Sequence, residues 1–205
     1  MTIIVNQLNG GLSVQSVTIT LQNLLAGSVL GRRLVGASAA AVAFNNTGNG
    51  TPGAITVGGA AKLGRYRLTV FGVNPATFSV IDPEGVFVGI GTAGVPFTGG
   101  GLTFTLSNGG AAFVGGDGFS ITVSGGSFKY LAYHPNAATG EQTPAGVLLA
   151  NTDATGGDQV ANVFTSSGVL NFDDLVWSAN VPRLDDKVAA LAVLSARTGI
   201  FFTRT

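Results

Sequence analysis

The sequence predicts a mainly β protein with a single helix close to its C-terminus, and three observations carry that prediction. Apolar and polar residues alternate with period 2 in many short runs, the pattern of strands with one buried face. Glycine, 32 of 205 residues, interrupts these runs together with Asn-Gly and Asp-Gly pairs, as tight turns require. One stretch alone, residues 182–197, has helical spacing with matching end signals.

Taken in order, the first clear strand is residues 65–70. It has Arg65 and Arg67 outward and Tyr66, Leu68 and Val70 inward. Residues 77–81 and 86–90 flank Asp82-Pro83-Glu84-Gly85, a turn in which proline fixes φ and glycine permits a positive one. In residues 102–106, Leu102, Phe104 and Leu106 share a face opposite Thr103 and Thr105, and residues 119–123 repeat the scheme. Asn108-Gly109 and Asp117-Gly118 read as hairpin turns. Residues 43–125 therefore form a Gly-rich antiparallel β-domain, a sandwich or a barrel.

Further strands follow at residues 128–133, 145–150 and 160–165, with an extended stretch at 169–177. In the helix, Pro182 suits the first turn, Asp185 and Asp186 complement the positive end of the dipole, and Arg197 and Gly199 suit the C-terminus. Leu184, Val188, Leu191 and Ser195 form its expected buried stripe, widened by Ala192 and Leu194. A terminal strand, 199–204, completes the chain.

Charged residues make up 10% of the chain, against roughly 25% in an average soluble domain. Ten basic and ten acidic side chains cancel, and the mean hydropathy is +0.44. Two explanations stay open for so weakly charged a surface. Much of it is covered by partners, or it is coated with uncharged Gly, Ser, Thr and Asn. The neutral balance argues against nucleic acid as a partner, since phosphate binding needs a positive field. With no cysteine there are no disulfides and no thiolate metal sites. The first residues lack a basic segment followed by an apolar one, so no secretory signal is expected. The longest apolar run, 34–44, is about half of what a bilayer span needs, so no membrane association is expected.

Candidate chemistry is thin. His134, the only histidine, follows a strand and has no second histidine or cysteine with which to hold a metal. Asp173 and Asp174 would point to opposite faces of a strand, while Asp185 and Asp186 serve the helix dipole. The loop from Asp153 to Asp158 lacks the acidic density of a calcium loop, and Gly115-Gly116-Asp117-Gly118 reads as a turn. Gly99-Gly100-Gly101 precedes a strand rather than a helix and so is no phosphate cradle. No serine sits in a nucleophile elbow. No enzyme, no metal and no cofactor is expected.

The stretch Gly140-Glu-Gln-Thr-Pro-Ala-Gly-Val-Leu148, followed by Asp153-Ala-Thr155, closely resembles the lambda-type bacteriophage head decoration proteins. So does Leu25-Ala-Gly-Ser-Val-Leu-Gly31 near the N-terminus, and the ending Ala196-Arg-Thr-Gly-Ile-Phe-Phe-Thr-Arg204. The resemblance covers residues 126–205 and the N-terminal segment. It implies a small α+β, β-tulip-like decoration domain made from residues 16–42 and 126–205, preceded by an arm at 1–15. Short members of the family pass within a few residues from the first motif to the segment equivalent to 128–135. Here about eighty residues intervene, so residues 43–125 are expected to be an inserted antiparallel β-sandwich or barrel, since an exposed loop tolerates insertion cheaply.

The resemblance implies a homotrimer on the outer surface of the virion capsid, synthesised in the host cytoplasm, that binds the major capsid protein and stabilises the expanded head. In the family the N-terminal arm lies against the capsid. Here Thr2, Ile3, Ile4 and Val5 are the expected capsid contacts, an apolar segment able to add a strand to a neighbouring sheet. Two other functions compete: another virion accessory role, in a tail or fibre, and a carbohydrate-binding surface on residues 43–125, with Tyr66 and Phe71 as a platform for a host-surface glycan.

Overall fold

The computed structural model describes residues 4–7 and 14–204, with backbone only for Ile4–Gln7 and for Ala37 and Ser38. The chain opens with β1 (Ile4–Gln7), β2 (Val14–Ile19), β3 (Asn23–Leu24) and β4 (Val29–Arg32). It continues with β5 (Val35–Ala43), β6 (Ile55–Val57), β7 (Gly64–Val73), β8 (Ala76–Ile81), β9 (Phe87–Thr92), β10 (Pro96–Gly99), β11 (Leu102–Thr105) and β12 (Gly118–Gly125). The last third holds β13 (Tyr130–Ala132), β14 (Pro144–Leu148), β15 (Thr152–Asp153), β16 (Gln159–Phe164), β17 (Gly168–Asn171), α1 (Leu184–Thr198) and β18 (Ile200–Thr203). A mainly β chain with one C-terminal α-helix among the described residues matches the expectation.

Two compact units emerge. The first is discontinuous, Met1–Leu34 with Phe128–Thr205, and the second is Val35–Ser127. Residues 35–42, grouped on sequence with the first domain, pair in β5 with β12 and β6 of the second unit. The chain leaves and re-enters the first unit at one place. There the Phe128 N–H donates to the Arg33 carbonyl at 2.9 Å and the Arg33 N–H to the Lys129 carbonyl at 3.0 Å.

In the first unit, five strands close a barrel in the order β13-β2-β16-β14-β4. Paired apolar residues explain how it is covered. Successive side chains of a strand point to opposite faces. Leu30, Leu148 and Val163 pack with Ile19 in one cluster, while their neighbours Val29, Val147 and Phe164 pack with Leu191, Leu194 and Ile200 in another. Continuous apolar pairs are what strands buried on both faces need. α1 covers this second cluster by packing on β14 and β18. It buries Ala190, Leu191 and Leu194, whereas Leu184 and Val188 are exposed, so the buried stripe differs from the one expected. Gly199 closes the helix in the left-handed region, at φ 70°, with its N–H on the Ser195 carbonyl. Beside the barrel lies the sheet β1-β17-β18, with β1 antiparallel and β18 parallel to β17.

The second unit is one eight-stranded antiparallel sheet, ordered β10-β11-β6-β5-β12-β7-β8-β9. It curls so that its two edges meet, with Phe97 of β10 against Gly89 of β9, as in an open barrel. Its inward residues are those the alternation predicted: Tyr66, Leu68, Val70, Leu102, Phe104, Leu106, Phe119, Ile121 and Val123 are all buried. Phe97 and Phe104 meet at 5.2 Å between centroids, and Phe78 lies 5.8 and 5.9 Å from them. Such aromatic pairs add about 0.5–1.5 kcal/mol each beyond their area.

The turns are partly as expected. In the β8–β9 hairpin, Asp82 Oδ1 accepts from the Glu84 and Val86 N–H groups, both at 2.9 Å. Asn108-Gly109 and Asp117-Gly118 are not hairpins. β11 and β12 are not neighbours in the sheet, so the intervening segment is a long connection. Two-residue hairpin turns lie instead at Asn74-Pro75 between β7 and β8 and at Gly100-Gly101 between β10 and β11, the latter with φ of 55° and 78°. Positive φ at both positions is the requirement of a type I′ turn.

Candidate functional site

The two stretches that carry the family-like motifs are each other's partners. Gly31 pairs with Pro144, Leu30 with Gly146 and Val29 with Val147 in the β4–β14 ladder. A Cβ on Gly31 would stand 2.4 Å from the Glu141 carbonyl oxygen, so the glycine lets the Glu141 backbone approach. Glu141 itself is 4% exposed. Its carboxylate accepts from Arg33 Nε at 2.7 Å and from Thr139 Oγ1 at 2.6 Å. Burial would push this carboxyl up, but the bonds from Thr139 and Arg33 outweigh burial and hold it below the usual glutamate range. The arrangement ties the two sequence-distant parts of the first unit together.

Several of the other sequence-named residues have structural partners. His134 Nδ1 accepts from the Asn136 N–H at 3.2 Å in a local turn. Asp153 Oδ1 accepts from the N–H and Oγ1 of Thr155. Asp173 and Asp174 lie not on a strand but in a short 3-10 turn, Phe172–Asp174, where Asp173 pairs with Arg204 at 3.3 Å. Asp185 and Asp186 occupy the first turn of α1. Asp117, read on sequence as part of a turn, is a buried acceptor. Thr47 and Gly48 donate to it at 2.9 Å and Val114 at 3.0 Å. Burial favours its neutral form, yet the three N–H donors keep its carboxyl below the ordinary aspartate value. Among the described residues no group of three or more His, Cys, Asp or Glu could hold a metal ion. Among them, too, no helix is long and apolar enough to cross a membrane.

Tyr66 cannot serve as a sugar platform. It is fully buried, its hydroxyl donates to the Gly100 carbonyl at 2.9 Å and it accepts from the Lys62 N–H at 2.8 Å. Phe71 is exposed.

Of the expected contact residues, Thr2 and Ile3 lie outside the described residues. Ile4 and Val5 belong to β1, whose register places Ile4 opposite Leu170 and Asn6 opposite Val169. Among the described residues β1 is an edge strand of its sheet, the kind of position at which a further strand can be added. Two surface features of the first unit had no sequence signal. One is a mostly apolar groove of about 430 Å³ bounded by Leu21, Leu25, Val176 and Trp177. The other is a cleft of about 300 Å³ of mixed polar and apolar lining that contains Arg32 and Arg197.

The sequence profile described as "Bacteriophage lambda head decoration protein D" matches residues 2–200. The chain belongs to the bacteriophage lambda head decoration protein D family. This family is one of structural proteins of the virion, not of enzymes. The match runs through both units. No curated protein matches the chain. Among solved structures, the FlgL protein of Xanthomonas campestris is 26% identical, over 48% of this chain and 33% of FlgL, with a TM-score of 0.35. The flagellar junction protein FlgL of Legionella pneumophila is 19% identical, over 49% of this chain and 38% of its own, with a TM-score of 0.36. The chain thus spans about a third of these flagellar proteins, and at such TM-scores the likeness carries no argument about the decoration protein.

Proposed function

We propose that this head decoration protein binds the outer surface of the expanded phage head as a homotrimer and stabilises the shell against the pressure of packaged DNA. The family match over residues 2–200 is the observation that carries the reading. The surface chemistry supports it. A chain with 10% charged residues leaves Leu21, Leu25, Val160, Leu184, Val188 and Phe201 of the first unit more than half exposed. Such surface is suited to burial against neighbours. Three copies joined in one assembly would engage the shell at three places together, so modest single contacts add up through high effective concentration.

In this reading the major capsid protein is the partner, and Thr2, Ile3, Ile4 and Val5 contribute by adding a strand at the arm. The second unit is an insertion into a decoration domain. The Arg33–Phe128 backbone bond supports this, because entry and exit points held side by side let a segment of any length be accommodated.

The test combines mass and mechanics. The purified protein is expected to have three times the chain mass in solution, and heads carrying it are expected to rupture at a higher temperature than bare heads. A monomer, or decorated heads no more resistant than bare ones, would overturn the proposal.

A further inference from the structure

One cleft of the first unit gathers two arginines with no acid beside them. Arg32 of β4 and Arg197 of the last turn of α1 line it together with Thr143, Thr165, Ser166 and Thr198, the last with its hydroxyl donated to the Leu194 carbonyl at 2.6 Å. Among the described residues neither Asp nor Glu lines it. Ion pairs among the described residues use Arg33, Lys62, Lys129 and Arg204, and neither cleft arginine. Arg32 is also pre-set. Its guanidinium carbon sits 5.2 Å from the Phe128 ring centroid and 5.9 Å from that of Tyr130. Its Nε donates to the Phe128 carbonyl at 3.1 Å, which leaves the two terminal nitrogens for another acceptor.

Each arginine alone has a bland explanation. Arg197 complements the negative end of the α1 dipole, and Arg32 packs its plane on aromatic rings. Those roles do not explain why both line one cleft with no Asp or Glu among its described lining residues, in a chain with ten basic residues altogether. Planar guanidinium groups fixed in this way suit a carboxylate or a phosphate, which they bind through paired charge-assisted bonds. A polyphosphate chain needs an extended positive field, and the formal net charge of this chain is zero. The carboxylate is favoured.

Position indicates whose carboxylate it is. Gln15, which also lines the cleft, is the second residue of β2, just past the N-terminal segment. Ser166 leads into β17 and Thr198 into β18, the two strands that complete the sheet edged by β1. The cleft therefore adjoins the arm proposed above to meet the capsid. We propose that it receives an Asp or Glu side chain of the major capsid protein, held between Arg32 and Arg197. This rests on the head-binding reading.

The test measures the affinity of the intact protein for purified heads that lack it, across a range of salt. If the unaltered protein does not bind heads, the head-binding reading itself has failed. If it binds, Arg197→Gln is expected to weaken binding about tenfold and to flatten its salt dependence. Arg197→Lys should retain only part of the affinity. Arg197 is exposed, so these variants do not depend on core packing. Arg32→Gln should weaken binding further, and Arg183→Gln, at an exposed arginine before α1, should have no effect. Binding by Arg197→Gln within twofold of the unaltered protein would overturn the inference. So would loss of the assembled mass before any loss of head affinity, which would place the carboxylate on a second copy. Release of a bound single-stranded oligonucleotide by Arg197→Gln would likewise overturn it in favour of phosphate.

Discussion

Arg33 Nε donates to Glu141 Oε1 across 2.7 Å, between residues 108 apart in the chain, with the Glu141 side chain 5% exposed and that of Arg33 34%. This contact joins the part of the first unit that precedes the second unit to the part that follows it. Removing Arg33 would leave a buried carboxylate with Thr139 as its remaining side-chain donor. Arg33→Ala is expected to destabilise the first unit by about 1–3 kcal/mol, less than for a fully buried pair because Arg33 is partly solvated. Denaturant unfolding of the variant checks this.

The same carboxylate makes stability pH-dependent, with a definite sign. Its pKa is lower in the folded than in the unfolded chain. Its contribution is therefore complete above the unfolded value of about 4.5 and is lost as pH falls through the lower folded value. Glu141→Gln should be less stable than the parent at pH 7, and the gap should narrow on acidification below pH 4.5. Thermal melts between pH 3 and 7 measure the narrowing.

Asp117 plays a comparable part in the second unit, where it gathers three backbone N–H groups from the segments 47–48 and 114. Asp117→Ala removes their acceptor and is expected to cost on the order of 2 kcal/mol. Asp117→Asn, which keeps one oxygen, should cost less. Hydrogen exchange should show new openings in the second unit, with the first unit unchanged.

Two glycines with positive φ separate backbone strain from steric clash. Gly85, at φ 83°, has open space where a Cβ would go, whereas a Cβ on Gly101, at φ 78°, would lie 2.0 Å from the Ala61 nitrogen. Gly85→Ala is expected to cost about 1 kcal/mol from conformation alone. Gly101→Ala should cost clearly more, because the β10–β11 hairpin must shift. Paired denaturant curves give the ordering.

The legible parts of the fold were those where short-range pattern and final environment agree. Leu102, Phe104 and Leu106 alternate with threonines, and a strand with one buried face has no other way to place them. The helix was legible by its ends but not by its face. From Val188 to Leu194 every residue is apolar, so periodicity could not choose between Leu184 with Val188 and Ala190 with Leu194. Packing on β14 and β18 made the choice. Asn108-Gly109 and Asp117-Gly118 misled because turn chemistry is local, while strand neighbours are set by the whole sheet. The family motifs were readable, but not that Gly31 and Pro144 would face each other in one ladder. The cleft had no sequence signal, since Arg32 of β4 and Arg197 of α1 come to line one cleft only once the chain has folded.

Whether this chain docks on a phage shell is decided by titrating it onto purified expanded heads. Bound protein is expected to rise to a plateau set by repeating sites on the shell and to fall when residues 2–14 are deleted. If co-sedimentation with the heads is no greater than that of an unrelated protein at every concentration, docking on the shell is contradicted.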